Sequence, residues 1–177
     1  MASDHATPID AHLDALPIVI RLPYTSPPVS ANQARSTAHW REQHRVKTAI
    51  AAAVVAAVRQ AKTPTLQRVA VTLVWYAPDH KVRDCDGLYP MLKAVLDALT
   101  PPRPAIPPGA RTLAGTPRKK PQAAKLGAGI IPDDRAEYVA STTTAIVQGA
   151  DDPRLELHLQ PLPALPARKP KRSTRAS

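Results

Sequence analysis

Apolar and polar positions alternate with a period of two in several stretches of this chain, which predicts β-strands. Residues 68–78 (RVAVTLVWYAP) have apolar side chains on both faces, so we predict a central strand that is covered on both sides. Residues 17–24 (PIVIRLPY) predict a first strand, which Pro23 ends. Two further strands are predicted at 137–148 and 154–161, antiparallel to each other and joined by the turn GADDP.

A period of three to four residues replaces the period of two between residues 34 and 62, which predicts a long helix. Side chains three or four residues apart form one stripe along this helix. The C-terminal half of the stripe is apolar and should be buried, and the N-terminal half is basic. The stripe consists of Trp40, His44, Lys47, Ile50, Val54, Val58 and Ala61. A second helix is predicted at 90–99, because Leu88, Leu92, Val95 and Leu99 form an apolar face and Pro90 suits a first helical turn. The order β-α-β-α-β-β predicts an α+β domain, with helices packed on a small mixed β-sheet.

Composition divides the chain into a polar start, a folded domain and a basic tail. Residues 1–16 are predicted to be loose, residues 17–160 to form the domain, and residues 161–177 to be a proline-rich basic tail. Within the domain, residues 101–125 contain seven prolines and six basic residues without periodicity. This stretch predicts a disordered or extended basic insertion.

Charge and cysteine content point to a partner and a compartment. The formal net charge is +10, from 24 Lys and Arg against 14 Asp and Glu, which suggests a polyanionic partner such as nucleic acid.

The single cysteine, Cys85, cannot form an internal disulfide, which suits a reducing cytoplasm. The N-terminal residues lack signal-peptide features. The longest apolar run, 49–58, is shorter than the about 20 residues that span a bilayer. We therefore expect a cytoplasmic protein without a membrane partner.

Two aspartates, Asp84 and Asp86, follow the predicted central strand and stand one residue apart. If the chain stays extended through them, both carboxylates point to one side and Cys85 points to the other, into the core. Close carboxylates repel unless a cation intervenes, and carboxylate oxygens suit Mg²⁺. Asp133 and Asp134, after another short apolar segment, would supply a third carboxylate. An acidic pocket in a basic protein is typical of a metal-dependent nuclease.

Four pieces of the sequence, in this order, resemble the RusA-type Holliday junction resolvases. They are PYTSPPVSAN at 23–32, RDCD at 83–86, KAVLDAL at 93–99 and GIIPDD at 129–134. The resemblance covers residues 17–160 apart from the proline-rich insertion. Four ordered pieces are more specific than any one of them.

The resemblance implies a RusA-like fold and a homodimeric, Mg²⁺-dependent endodeoxyribonuclease that nicks four-way DNA junctions symmetrically, with Mn²⁺ as the alternative cation. It implies that Asp84, Asp86, Lys93 and Asp134 are catalytic and that the three aspartates bind the metal. It also implies a bacterial or phage origin, and hence a bacterial or phage-infected bacterial cytosol. The chain differs from the family in having Gly87 where asparagine is common, in a wider spacing before Lys93, and in the proline-rich insertion.

Basic residues outside these motifs are the predicted phosphate contacts, together with Arg83 within one of them. The full set is Lys81, Arg83, Arg41, Arg45, Lys119 and Lys120. Asp97 is expected to pair with Lys93 across one helical turn. A non-catalytic, basic DNA-binding protein is the main alternative, and it explains the charge but not the clustered carboxylates. A sugar-nucleotide transferase that uses D-x-D with Mn²⁺ is disfavoured, because the chain is short and lacks a nucleotide-binding βαβ start.

Overall fold

The computed structural model describes residues 16–29, 40–109 and 121–166, and of residues 40 and 41 it describes the backbone only. Its elements in chain order are strand β1 (Ile18–Leu22), helix α1 (Trp40–Gln60), strand β2 (Arg68–Tyr76), a 3₁₀ helix (Cys85–Leu88), helix α2 (Tyr89–Leu99), strand β3 (Val139–Val147) and strand β4 (Arg154–Leu162). Strand β4 ends one residue beyond the predicted strand at 154–161. No described helix has the length and apolar character needed to cross a membrane.

The four strands form one mixed sheet in the order β1-β4-β2-β3. Strand β4 is antiparallel to both of its neighbours, whereas β3 is parallel to β2. The prediction of an α+β domain with a small mixed sheet is confirmed. The last two strands run in opposite directions, as predicted, but β2 lies between them. Their connecting turn crosses the end of β2, where the amide of Ala150 donates to the carbonyl of Ala77 at 2.9 Å.

One face of the sheet carries both helices and the hydrophobic core. Ile50, Val54 and Val58 of α1 are at most 2% exposed, which confirms the predicted apolar half of its stripe. The same core contains residues of α2 and β2, namely Leu92, Val95, Leu99, Val69, Val71 and Leu73. The side of α1 that continues this stripe toward its N-terminus is exposed, so the helix spans the boundary between core and surface.

The opposite face of β2 is only partly covered, which corrects the prediction of a strand buried on both sides. Thr72 on this face has intermediate exposure and lies outside the core. In the register of β2 and β4, His158 lies opposite Thr72 and Glu156 lies opposite Val74. Glu156 bonds to Arg154 at 2.6 Å and to His158 at 2.9 Å. Val74 on this face is only 7% exposed, so the face combines buried and partly exposed residues beside the ion-paired side chains of β4.

The segment 127–131 closes the C-terminal end of α2. The amide of Ile130 donates to the carbonyl of Leu99 at 3.0 Å, which satisfies one of the carbonyls that a helix end leaves unpaired. Ile130 and Ile131 are buried in the core. Gly127 passes so close to the helix end that a Cβ on it would lie 2.1 Å from the carbonyl oxygen of Thr100. Glycine is therefore required where this segment meets α2.

The proline-rich insertion begins and ends as a paired ribbon, formed by residues 103–106 and 122–125. Arg103 and Lys125 exchange two backbone hydrogen bonds, of 2.9 and 2.8 Å. Ile106 and Gln122 exchange two more, both of 2.8 Å. The described flanks of the insertion are therefore extended and paired, and residues 110–120 lie outside the described residues.

Candidate active site

Lys93 and Asp134, two of the predicted catalytic residues, are in direct contact. Lys93 lies on the exposed side of α2, and Asp134 follows the segment 127–131. The distance from Lys93 Nζ to Asp134 Oδ2 is 2.7 Å. Because segment 127–131 is hydrogen bonded to the end of α2, the same contacts that complete the helix also place Asp134 beside it.

A row of alternating charges extends from this pair along α2. Lys93 Nζ lies 3.3 Å from Asp97 Oδ1, the pair expected from helical spacing, and Lys125 Nζ lies 3.3 Å from the same oxygen. Lys125 also donates to Thr100 Oγ1 at 3.0 Å. The base of the insertion therefore adds a second ammonium group to the site. No local sequence pattern marks Lys125 as a site residue, because 28 residues separate it from Asp97 and the ribbon has no periodic signal.

Contact between Lys93 and Asp134 shifts the pKa of both groups. The hydrogen bond from Lys93 lowers the pKa of the Asp134 carboxyl below its ordinary value. The hydrogen bond to Asp134 raises the pKa of Lys93, and the charge of Asp97 adds to that effect. Partial burial opposes both shifts without reversing them. Lys93 is therefore an ammonium ion at neutral pH, suited to binding a phosphate and unsuited to accepting a proton.

Asp84 and Asp86 lie at the start of the 3₁₀ helix and not at the end of a strand. Asp84 is extended, with φ −89° and ψ 133°, and Asp86 lies in the first turn of the helix. A 3₁₀ helix has three residues per turn, so the strand argument that put both carboxylates on one side is wrong. Cys85 is exposed, which corrects its predicted place in the core. Its carbonyl accepts a hydrogen bond from the Thr144 hydroxyl at 2.8 Å, which ties the helix to β3.

The three aspartates are not gathered as one ligand set in the described part of the chain. Among the described residues, no three His, Cys, Asp or Glu side chains form a group that could hold a metal ion. Asp134 is paired with Lys93. The side chains of Asp84 and Asp86 are exposed and make no hydrogen bond or ion pair with residues of the described ranges. Mg²⁺ is often held by one or two protein carboxylates, with water and substrate phosphates as the other ligands. The free oxygens of Asp84 and Asp86 fit that donor set.

Arg83, a predicted phosphate contact, is held by three partners, Trp75, Asp79 and the carbonyl of Lys81, to which its Nη1 donates at 3.2 Å. Its guanidinium carbon lies 4.7 Å from the ring centroid of Trp75, and its Nη1 lies 2.5 Å from Asp79 Oδ1. The hydrogen bond from Arg83 lowers the pKa of Asp79 to about 2. The Arg83 side chain is only 20% exposed. These contacts give it a structural role in fixing the segment between β2 and the 3₁₀ helix.

The other predicted phosphate contacts form two groups, those whose side chains the structure describes and those whose side chains it does not. The side chains of Lys81 and Arg45 are 78% and 79% exposed. Each has one carboxylate partner in its own neighbourhood, Asp79 at 3.4 Å and Glu42 at 2.8 Å respectively. Both remain accessible to a phosphate. The side chain of Arg41, and all of Lys119 and Lys120, lie outside the described residues.

Comparison with protein-family models and with the sequences of curated proteins finds no match to this chain.

Proposed function

We propose that this chain is a metal-dependent endodeoxyribonuclease that resolves four-way DNA junctions. The contact between Lys93 and Asp134 carries the proposal. These residues belong to two separate pieces of the resemblance to RusA-type resolvases and are 41 positions apart, yet their side chains bond at 2.7 Å. Residues that share one catalytic role must lie close together, and this pair does.

Each residue of the site has a chemical task in this proposal. Asp84 and Asp86, whose side chains have no partner among the described residues, would hold Mg²⁺ together with water and substrate phosphates. Lys93 neutralises charge on the scissile phosphate, and Asp134 fixes the position of its Nζ. When bound, the ion lowers the pKa of a water molecule and stabilises charge that develops on the phosphate. Lys125 and Asp97 are positioning residues, since they act on the scissile phosphate only through Lys93.

Cleavage of a labelled four-way junction, with and without Mg²⁺ and beside a linear duplex, tests the activity. Asp84→Asn should abolish junction cleavage and leave binding intact or tighter, because a negative charge near the phosphates is removed. Asp151→Asn is the matched control, since Asp151 is exposed in the turn between β3 and β4 and should keep full activity. Cleavage by Asp84→Asn at the normal rate would refute the assignment. Binding without cleavage by the unmodified protein would favour the non-catalytic alternative.

Metal binding has a separate test, because the exposed Cys85 lies between the two aspartates. A trifluoromethyl tag on Cys85 should give a ¹⁹F signal that Mn²⁺ broadens at micromolar concentrations. The double substitution Asp84→Asn and Asp86→Asn should abolish the broadening, whereas Asp151→Asn should preserve it. Equal broadening in the unsubstituted protein, the double variant and Asp151→Asn would show that residues other than Asp84 and Asp86 hold the ion.

A four-way junction has two-fold symmetry, so we propose a symmetric dimer with one site facing each of two opposed strands. Light scattering coupled to gel filtration should give about twice the 19.0 kDa mass of the chain. A mass in the presence of junction DNA that corresponds to one protein chain per junction would remove the basis for paired nicks.

A further inference from the structure

A groove of about 880 Å³ lies between α1, α2 and the ribbon. Lys93 lies on its wall, so the groove is continuous with the candidate active site. Its charged and titratable lining comprises His44, Lys47, Lys93, Arg103, Lys125, Glu42 and Asp97. Four Lys and Arg side chains face two carboxylates, which leaves a formal charge of +2.

Two of these cations are available to a ligand. Lys47 and Arg103 are both exposed, and neither forms an ion pair with any residue in the described ranges. Lys47 comes from the exposed part of the α1 stripe, and Arg103 comes from the ribbon, and both line the same groove. By contrast, Lys93 and Lys125 share Asp97 as a partner. The free cations therefore flank a site whose other charges are internally paired.

The remaining lining of the groove indicates what kind of contact it makes. Its apolar part is aliphatic, with Val29, Val46, Ala51 and Leu126 among the lining residues. No Phe, Tyr or Trp lines it within the described part of the chain. Sites that read unpaired bases usually stack them on aromatic rings. The described lining, which is aliphatic and cationic, is instead complementary to a sugar–phosphate backbone.

We propose that this groove binds the sugar–phosphate backbone of a nucleic-acid strand, with Lys47 and Arg103 as phosphate contacts and without selection of base sequence. The inference rests on the proposed function, because it gives the strand beside Lys93 a path across the protein surface. Neither cation belongs to the motifs of the resemblance, and Arg103 comes from the insertion. The insertion would thereby add a phosphate contact outside those motifs.

Salt-dependent binding measures such contacts directly. Fluorescence anisotropy with a labelled four-way junction in EDTA reports binding without cleavage. Lys47→Ala combined with Arg103→Ala should reduce the slope of log K against log [salt] by about 1.8, at about 0.9 for each lost phosphate contact on duplex arms. Both side chains are exposed and the ribbon bonds of Arg103 are made by its backbone, so we expect the variant to fold.

Arg59→Ala combined with Lys62→Ala is the matched control, since it removes two exposed charges at and just beyond the C-terminal end of α1. Arg59 lies about 18 Å along the helix from Lys47, at ~1.5 Å per residue. The control should retain the full slope. Equal slopes for the two double variants would overturn the groove proposal. A strong preference among junctions that differ only in base sequence would overturn its backbone-only character.

Failure of this proposal and failure of the proposed function give different results. If the groove is wrong and the nuclease is right, the Lys47 and Arg103 variant binds like the control and the unmodified protein still cuts. If the nuclease is wrong and the groove is right, the slope falls as expected while no junction is cut with Mg²⁺ or Mn²⁺.

Discussion

Lys93 Nζ and Asp134 Oδ2 are 2.7 Å apart, although 41 residues separate them in sequence. The contact depends on the end of α2, because segment 127–131 bonds to the last carbonyls of that helix before the chain reaches Asp134. Ile130 and Ile131 anchor the same segment in the core. The contacts that pack segment 127–131 against α2 and into the core therefore also place Asp134 in the candidate active site.

Removal of the Lys93 ammonium should release the carboxyl of Asp134. In Lys93→Met the pKa of Asp134 should rise toward its ordinary value of 3.8, because the hydrogen bond from Lys93 is the largest cause of its lowering. Titration of side-chain carboxyl ¹³C signals measures this. Lys81→Met is the control, since its partner is Asp79 and it should leave Asp134 unchanged. An unchanged Asp134 pKa in Lys93→Met would contradict the contact.

The same pair should contribute to stability within a defined pH window. Asp134 has a lowered pKa when folded, so its contribution is present above the ordinary carboxyl pKa and is lost as pH falls through the folded value. Lys93 has a raised pKa, so its contribution is present below about 10.5 and is lost as pH rises through the folded value. The side chains of Lys93 and Asp134 are 61% and 34% exposed, respectively. A double-mutant cycle at pH 7 should therefore give only ~0.2–1 kcal/mol, and at pH 2 a smaller value.

Arg83→Ala should raise the pKa of Asp79 from about 2 toward 3.8, because the hydrogen bond from Arg83 is the largest cause of the lowering. The folded pKa of Asp79 is depressed, so its contribution to stability is lost as pH falls toward 2. Arg83→Ala should therefore unfold at a higher pH on acid titration, followed by tryptophan fluorescence. Lys81→Ala should shift the pKa of Asp79 less, since its side chain is the smallest cause. Equal shifts in the two variants would contradict the geometry.

The sequence predicted the elements that regular periodicity marks and failed where tertiary contacts decide. The apolar stripe of α1 and the alternation in β2 depend on local spacing alone, so Val54 and Val71 were correctly placed in the core. The 3₁₀ helix at Asp86 has no such signal, because four residues do not establish a period. The approach of Lys125 to Asp97 depends on backbone pairing between residues 103 and 125, which no local pattern encodes.

Cys85 should react in the folded protein as a surface thiol. Its exposed position predicts one titratable thiol per chain with a disulfide reagent under native conditions, at a rate close to that of the unfolded chain. A thiol packed in the core would react only after unfolding. Protection by a factor of a hundred or more in the native protein would contradict the exposed 3₁₀ helix and restore the strand geometry that alternation predicted.

Gly127 and Gly87 offer a matched pair of alanine substitutions that test how the active site is supported. A Cβ at residue 127 would lie 2.1 Å from the carbonyl oxygen of Thr100, so the backbone must shift, whereas a Cβ at residue 87 meets nothing within 4 Å. Gly127→Ala should lower the free energy of unfolding by about 1–3 kcal/mol, measured with urea. Gly87→Ala should leave it unchanged or raise it by about 0.4–1 kcal/mol.

The two substitutions should also differ in their effect on Asp134. In Gly127→Ala the displaced segment should carry Asp134 away from Lys93, so the pKa of Asp134 should rise toward 3.8 even where the protein remains folded. Gly87→Ala should leave that pKa lowered. If Gly127→Ala loses stability and keeps the low Asp134 pKa, the carboxylate is positioned by residues beyond this segment. If both variants lose the low pKa, the segment has no special part in placing the pair.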